Sequence, residues 1–285
     1  MEKIEFYKNR SLSERFSAAA EFIRQNWKMM YKIVLIPAIP LVLLQGYFTQ
    51  NYLSLMKNVG RLESTHGLLG GVGMYLLVFM ALMIILYAVS GAIMSRYEAG
   101  LLTKETRWKD LSSKIRANLG KVFLISFITL MIVIFVSFII GGLVVVSAST
   151  ALITMLLFIV VLFAIIPALA LIYYPALFQG ASVWKSVKKG FRFGFKSWGT
   201  TFLTILIIGV ATVVISYLFQ LPYIIWTIFA SHSGIVSYLL ATLSTCGFVF
   251  VTPLTFVFLA FQYFSVVEKE EGISLQAKIE EFDNL

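Results

Sequence analysis

Charged residues vanish over two long stretches of this chain. None lies between Lys121 and Lys185, and none between Lys196 and Glu268. Each stretch is far longer than the ~20 apolar residues that one bilayer crossing needs, so each fits two crossings joined by a tight turn. The turns read as Ser147-Ala148-Ser149-Thr150 in the first stretch and Ser231-His232-Ser233-Gly234 in the second. An earlier pair of apolar runs, near 33–48 and 68–95, is joined by the connection 49–67. The pattern predicts an all-α, polytopic membrane protein with six transmembrane helices in three hairpins: 33–48, 68–95, 122–146, 151–178, 200–229 and 235–265. The first is short and carries Pro37 and Pro40. No linker or low-complexity stretch divides the chain, so 1–285 reads as a single integral membrane domain with a tail over 266–285.

Each predicted hairpin is preceded by a basic, amphipathic stretch, which predicts interfacial surface helices over 12–32, 108–121 and 182–198. The first two match locally, Ile23-Arg24-x-Asn26 against Ile115-Arg116-x-Asn118. The third, SVWKSVKKGFRFGFKSWG over 182–199, keeps the character but not the letters. Three repeats of surface helix plus hairpin are the expected organisation. Wound at 100° per residue, the third stretch is three-sided. Trp184, Val187, Phe191, Phe195 and Trp198 share one face, Lys185, Lys188, Lys189, Arg192 and Lys196 an adjacent one, and Ser186, Gly190, Gly194 and Ser197 a third. Rings favour the boundary between headgroups and acyl chains. Cations near an anionic leaflet gain about 1 kcal/mol each. A strip of small residues lets another helix approach closely. The two glycines weaken a free helix by roughly 1 kcal/mol each, so packing is expected to hold it.

Composition and charge sharpen this picture. The 285 residues are 59% apolar and 13% charged, with a mean hydropathy of +0.89, against about a quarter charged in soluble domains. The segments 1–32, 96–121, 185–196 and 269–278 hold 7, 7, 5 and 2 of the 23 Lys and Arg, and the three other connections hold 2, 0 and 0. That asymmetry places both termini in the cytoplasm, and no signal-peptide pattern is apparent. The net charge of +9 is then a juxtamembrane surplus rather than a nucleic-acid footprint. The expected lipid-headgroup contacts are Arg24, Lys28, Arg116, Lys121, Lys185, Lys188, Lys189, Arg192 and Lys196. The expected interfacial anchors are Trp27, Trp108, Trp184, Phe191, Phe195 and Trp198.

Catalytic chemistry is not legible. Ionisable side chains inside a bilayer are costly and mark function, and the six predicted spans contain none. Arg96 and Glu98, at the inner end of the second span, read as an interfacial pair or a gate contact. His66 and His232 have no Cys, His or Asp cluster beside them, and a metal needs three or four ligands. Ser231 and Ser233 flank His232 without an orienting acid. No cofactor and no metal are expected, and Cys246 reads as a small packing residue. Gln45, Gln179, Gln220 and Gln262 sit near span ends. Pro167, Pro175, Pro222 and Pro253 should kink helices, which then either line a cavity or pack. The tail EKEEGISLQAKIEEFDNL carries six acids and two lysines. It could fold back on the basic inner segments, meet a cytosolic partner, or stay solvated.

The run PALALIYYPALFQG followed by SVWKSVKKGFRFGFKSWGTTF resembles bacterial six-span proteins grouped around the membrane domain of glycerophosphoryl diester phosphodiesterases. No soluble stretch here is long enough for their diesterase domain, so that activity is not implied. The resemblance implies a multi-pass protein of the bacterial inner membrane, acting on or beside lipid metabolism or envelope assembly. The expected function is non-enzymatic: engagement of anionic membrane lipids at the cytoplasmic face, with a cytosolic or membrane protein partner and no nucleic acid. The alternative is a transporter of a lipid or other amphiphile. Mitochondrial carriers also have three two-span repeats, but their Pro-x-[Asp/Glu]-x-x-[Lys/Arg] motif is missing here. A cavity walled by Gln and Ser/Thr favours transport; a solid bundle favours the scaffold.

Overall fold

A computed structural model describes residues 3–57, 65–103, 105–146, 151–229, 234–276 and 279. The expected turn at 147–150, residues 231–233 of the second turn (His232 among them), and Phe282 of the tail lie outside the described residues, as does the side chain of His66. The described elements are all helical: α1 (Leu12–Lys57), α2 (Thr65–Glu98), α3 (Trp108–Val146), α4 (Ala151–Leu171), α5 (Tyr174–Phe178), α6 (Val183–Lys196), α7 (Trp198–Phe229) and α8 (Ile235–Glu271). Among the described residues, six helical stretches are long and apolar enough to cross a membrane.

The first two predicted surface helices are not separate elements. Residues 12–32 are the opening turns of α1, and 108–121 those of α3. Neither segment carries a proline at its junction with the span, and α3 runs through Gly120 unbroken, so the backbone bonds continue. At about 1.5 Å per residue, the 46 residues of α1 extend roughly 69 Å, more than twice the ~30 Å of a hydrocarbon core. Only the third stretch is set off, as α6, by a turn at Ser197. The letters that suggested a repeat also serve different ends. Asn26 Nδ2 donates to Phe22 O in its own helix, whereas the buried Asn118 reaches Ala88 O of α2.

α8 organises the bundle. It runs antiparallel to α1 along its length: Arg15 meets Gln262, Tyr31 OH donates to Phe250 O, and Tyr238 OH donates to Leu43 O. α8 also packs on α7 and α2, α2 packs on α3, and α3 on α4. From Leu259 to Val267 every residue of α8 is buried. A helix apolar all round needs cover on every side. The N-terminal segment supplies part of it, with Phe6 packed on Phe261 and Phe264 and Arg10 N–H bonded to Ser265 Oγ.

Most of the large apolar side chains left exposed form a belt. They run from Leu35 to Tyr47 on α1, Phe123 to Ile139 on α3, Leu156 to Ile166 on α4, Leu203 to Phe229 on α7 and Ile235 to Phe250 on α8. The 17 residues from Phe123 to Ile139 rise about 25 Å, close to hydrocarbon thickness. The termini end of the bundle, by contrast, is a packed cap of helix ends.

Candidate functional sites

α6 begins just past a break in the preceding span. α4 stops at Leu171 and α5 starts at Tyr174, with Pro175 in its first turn. Proline lacks the N–H that Leu171 O would accept. α6 then runs back along this segment. Its small face is the buried one: a Cβ on Gly190 would meet Ile172 Cα at 2.5 Å, and one on Gly194 would strike Ala168 Cα. Further along, Trp198 Nε1 donates to Ala164 O at 3.1 Å and Phe202 packs on Phe163. Contacts from Ser186 to Phe202 follow the α4–α5 segment over several turns, so the strip that admits another helix is used by the chain's own.

The expected cations separate into two groups. Lys189 Nζ bonds Glu271 at 2.9 Å and Gln179 Oε1 at 3.0 Å, and Lys196 pairs with Glu270. Lys121 Nζ donates to Ala176 O at 3.2 Å. These three bond within the protein, and the first two fasten the start of the acidic tail to α6. Lys185, Lys188 and Arg192 are exposed and make no ion pair with a described residue; Lys188 Nζ lies 5.4 Å from the Trp184 ring centre. Trp184 and Phe195 are exposed, Phe191 packs on the small cluster of Ile125, Ile172 and Ala176, and Trp198 stacks on Phe202 at 5.0 Å.

On the other basic segments, Arg24 pairs with Glu21 on its own helix at 2.8 Å and Arg116 is exposed. Trp108 packs partly against the main core. Lys28 Nζ sits 5.5 Å from the ring centre of exposed Trp27. Below Trp27 an apolar groove of about 450 Å³ runs along α1, α7 and α8, lined by Tyr31, Leu35, Ile39, Phe219 and Phe250 among others. Arg96 and Glu98 are not an ion pair: Arg96 donates to Leu101 O and Asp110 O, while the Glu98 carbonyl accepts from Lys3.

A polar knot at the termini end went unread in the sequence. Gln262, fully buried, accepts at Oε1 from Arg15 at 2.6 Å and donates through Nε2 to Thr201 at 2.9 Å; Thr204 Oγ1, whose proton goes to Thr200 O at 2.8 Å, lies 3.2 Å from the same Oε1. It ties α1, α7 and α8 together. Its signal was present as a Gln in an apolar run opposite Thr200-Thr201-x-x-Thr204, but the pairing is tertiary. In the cover over this cap, burial and then Glu98 and Glu271 raise the Tyr7 hydroxyl above its ordinary pKa. Burial lowers Arg10, against the pull of Glu5 and Glu14.

The second site lies among the belt residues, in the half of the bundle away from the termini. A cavity of about 300 Å³ opens between α1, α2, α7 and α8. Gln45, Thr49, Gln220, Ser244 and Thr245 line it, with Tyr75, Phe79, Tyr223 and Phe248 as its aromatic walls. Beside it α1 and α8 approach closely, since a Cβ on Gly46 would lie 2.9 Å from Thr242 Cα. Among the described residues no group of three or more His, Cys, Asp or Glu could hold a metal.

No protein-family model matches the chain, and neither the curated proteins nor the solved structures yield a match.

Proposed function

We propose that this chain is a non-enzymatic protein of the bacterial cytoplasmic membrane, with both termini in the cytoplasm. It engages anionic lipid at the cytoplasmic face and organises or assists partners in lipid metabolism or envelope assembly. The carrying observation is the division of labour on α6. Gly190, Gly194, Lys189 and Lys196 are spent on the protein, while Trp184, Lys185, Lys188, Arg192 and Phe195 point away from it. Three exposed cations, unpaired with any described acid and set beside exposed rings, suit an anionic headgroup layer, and at about 1 kcal/mol each their upper bound is ~3 kcal/mol before screening. Trp27 and Lys28, above an apolar groove, repeat the pairing of ring, cation and acyl-sized surface on α1.

Native mass spectrometry of protein released from mixed-lipid nanodiscs tests this reading. Changing Lys185, Lys188 and Arg192 together to Gln should reduce co-purified phosphatidylglycerol and cardiolipin, most at low salt where the Debye length exceeds ~10 Å. Lys189→Gln should not. Wild-type lipid selectivity in the triple variant would overturn it. The second reading, a transporter of a lipid or other amphiphile, is favoured by one observation, the cavity with Gln and Ser/Thr on its wall.

A further inference from the structure

A buried amide stands in the wall of the belt cavity. Gln45 is only 2% exposed, and its Oε1 has no hydrogen-bond partner among the described residues. An acceptor left so costs about 1–3 kcal/mol. Three neighbouring hydroxyls do not relieve it, because their protons are directed elsewhere. Thr49 donates to Gln45 O at 2.8 Å, Ser244 to Ala241 O at 2.7 Å and Thr245 to Ala241 O at 3.1 Å. What these three side chains offer the cavity is oxygen lone pairs, while Gln220 and the tyrosine hydroxyls of the lining can both donate and accept. The wall around Gln45 is thus short of donors and suits a ligand that brings hydroxyl protons of its own.

Charge narrows the ligand further. None of the described lining residues is ionisable at neutral pH. A charged ligand would be desolvated without a counter-charge, which is expensive. The aromatic walls narrow it again. Phe79 and Phe248 lie 4.7 Å apart between ring centres, and Tyr75 and Tyr223 complete the lining. Such walls suit a ligand with an apolar flank as well as hydroxyls. A volume of about 300 Å³ is at the lower end for small-molecule pockets, which span about 300–1,000 Å³.

We infer that this cavity binds a neutral, polyhydroxylated ring, a sugar-like group that donates hydroxyl protons to Gln45 Oε1 and its neighbours while its C–H face lies against the rings. The inference does not depend on the lipid-surface reading, which concerns the opposite half of the bundle. The same chemistry could arrive as a free sugar or as the head of a glycolipid.

The test uses the full chain in phosphatidylcholine nanodiscs. Thermal unfolding and isothermal titration are recorded with glucose, with myo-inositol, with octyl glucoside below its micelle concentration, and with glucose methylated on every hydroxyl. The expected result is that at least one of the first three binds and raises the unfolding temperature, and that the methylated sugar, which cannot donate, does not. Binding by octyl glucoside alone assigns the site to a lipid-borne head; binding by the free compounds assigns it to soluble ligand. Gln45→Leu should weaken binding about tenfold or more, the worth of one hydrogen bond to a buried group. Without ligand it should unfold no earlier than wild type, because an unpartnered acceptor is gone. Thr245→Val, near in shape, is the second variant and should also weaken binding. Three outcomes overturn the inference: no stabilisation of the wild type by any of the first three compounds, equal stabilisation of wild type and both variants, as general exclusion of polyols would give, or equal binding of the methylated sugar.

Discussion

The hydroxyl of Ser186 is inserted into a helical hydrogen bond of another segment. Ser186 Oγ donates to Ile172 O at 2.6 Å and accepts from Ala176 N–H at 2.9 Å. Ile172 O and Ala176 N–H are an i, i+4 pair, the two groups that would bond each other if α4 ran unbroken into α5. Pro175 prevents the adjacent bond by lacking its N–H. The break therefore has a cause in its own sequence and a repair in α6. A side chain set into the ladder is one of the few ways a helix bends sharply.

Ser186→Ala is expected to leave both backbone groups of this pair without their partner. The cost of such a deletion in a buried site is about 1–3 kcal/mol. Thermal unfolding in detergent should shift to lower temperature by a corresponding amount. Ser182→Ala is the control, since Ser182 makes no side-chain cap to α6, and should unfold with the wild type.

The close approach of α6 to α4 predicts an asymmetry among glycines. Gly190→Ala puts a methyl 2.5 Å from Ile172 Cα, against backbone that has no rotamer to change. Overpacking of this kind costs about 1–3 kcal/mol. Gly199→Ala meets nothing within 4 Å and sits in the first turn of α7. It should be neutral or stabilising, up to about 1 kcal/mol, because alanine is the better helix former. Comparing the two unfolding temperatures checks this directly.

Six apolar helices were legible because the signal is one-dimensional. The gaps from Lys121 to Lys185 and Lys196 to Glu268 announce their own lengths. The three-sided character of 182–198 was legible for the same reason, since residues on one helix keep fixed angles. What the faces touch was not legible. Lys189 and Lys196 looked like Lys185 and Lys188 until Glu270 and Glu271, more than 70 residues away, were found opposite them. The limits of the surface helices were misjudged because a change from polar to apolar residues alters burial without breaking the backbone ladder. Gln45 and Gln262 were equivalent on the page, both amides near span ends. The fold gives Gln262 partners on two other helices and leaves Gln45 Oε1 without one among the described residues.

The Gln262 knot should behave as a unit. Gln262→Leu removes the acceptor of Arg15 Nη1, and leucine offers the half-buried guanidinium none in its place. A loss of about 1.5–3 kcal/mol is expected, the range for a hydrogen bond to a charged group. Arg15→Leu in the Gln262→Leu background should cost less than in the wild type, because its partner is already gone. A double-mutant cycle by thermal unfolding reads this coupling.

Topology can be read by labelling single cysteines in sealed membrane vesicles after Cys246 is changed to Ala. The cation asymmetry predicts that cysteines at positions 105 and 188 are labelled from the cytoplasmic side and one at position 60 from the other. Position 60 lies outside the described residues, and the expectation there rests on the charge pattern alone. Position 190 is unsuitable, because Gly190 is packed against Ile172 and a failure to react would report burial rather than sidedness. Glu105 and Lys188 are both exposed, so reaction at those sites depends on which compartment holds the reagent. The bundle adds a constraint of its own. Lys3 is bonded to Glu98 O, Arg15 to Gln262, and Lys189 to Glu271, so the N-terminal segment, the end of α2, α6 and the end of α8 must lie on one side together. Labelling of 105 and 188 from opposite sides would contradict that arrangement as well as the charge rule. Labelling of both from the side opposite the cytoplasm would invert the orientation, leave the fold intact, and remove the anionic-leaflet role of α6.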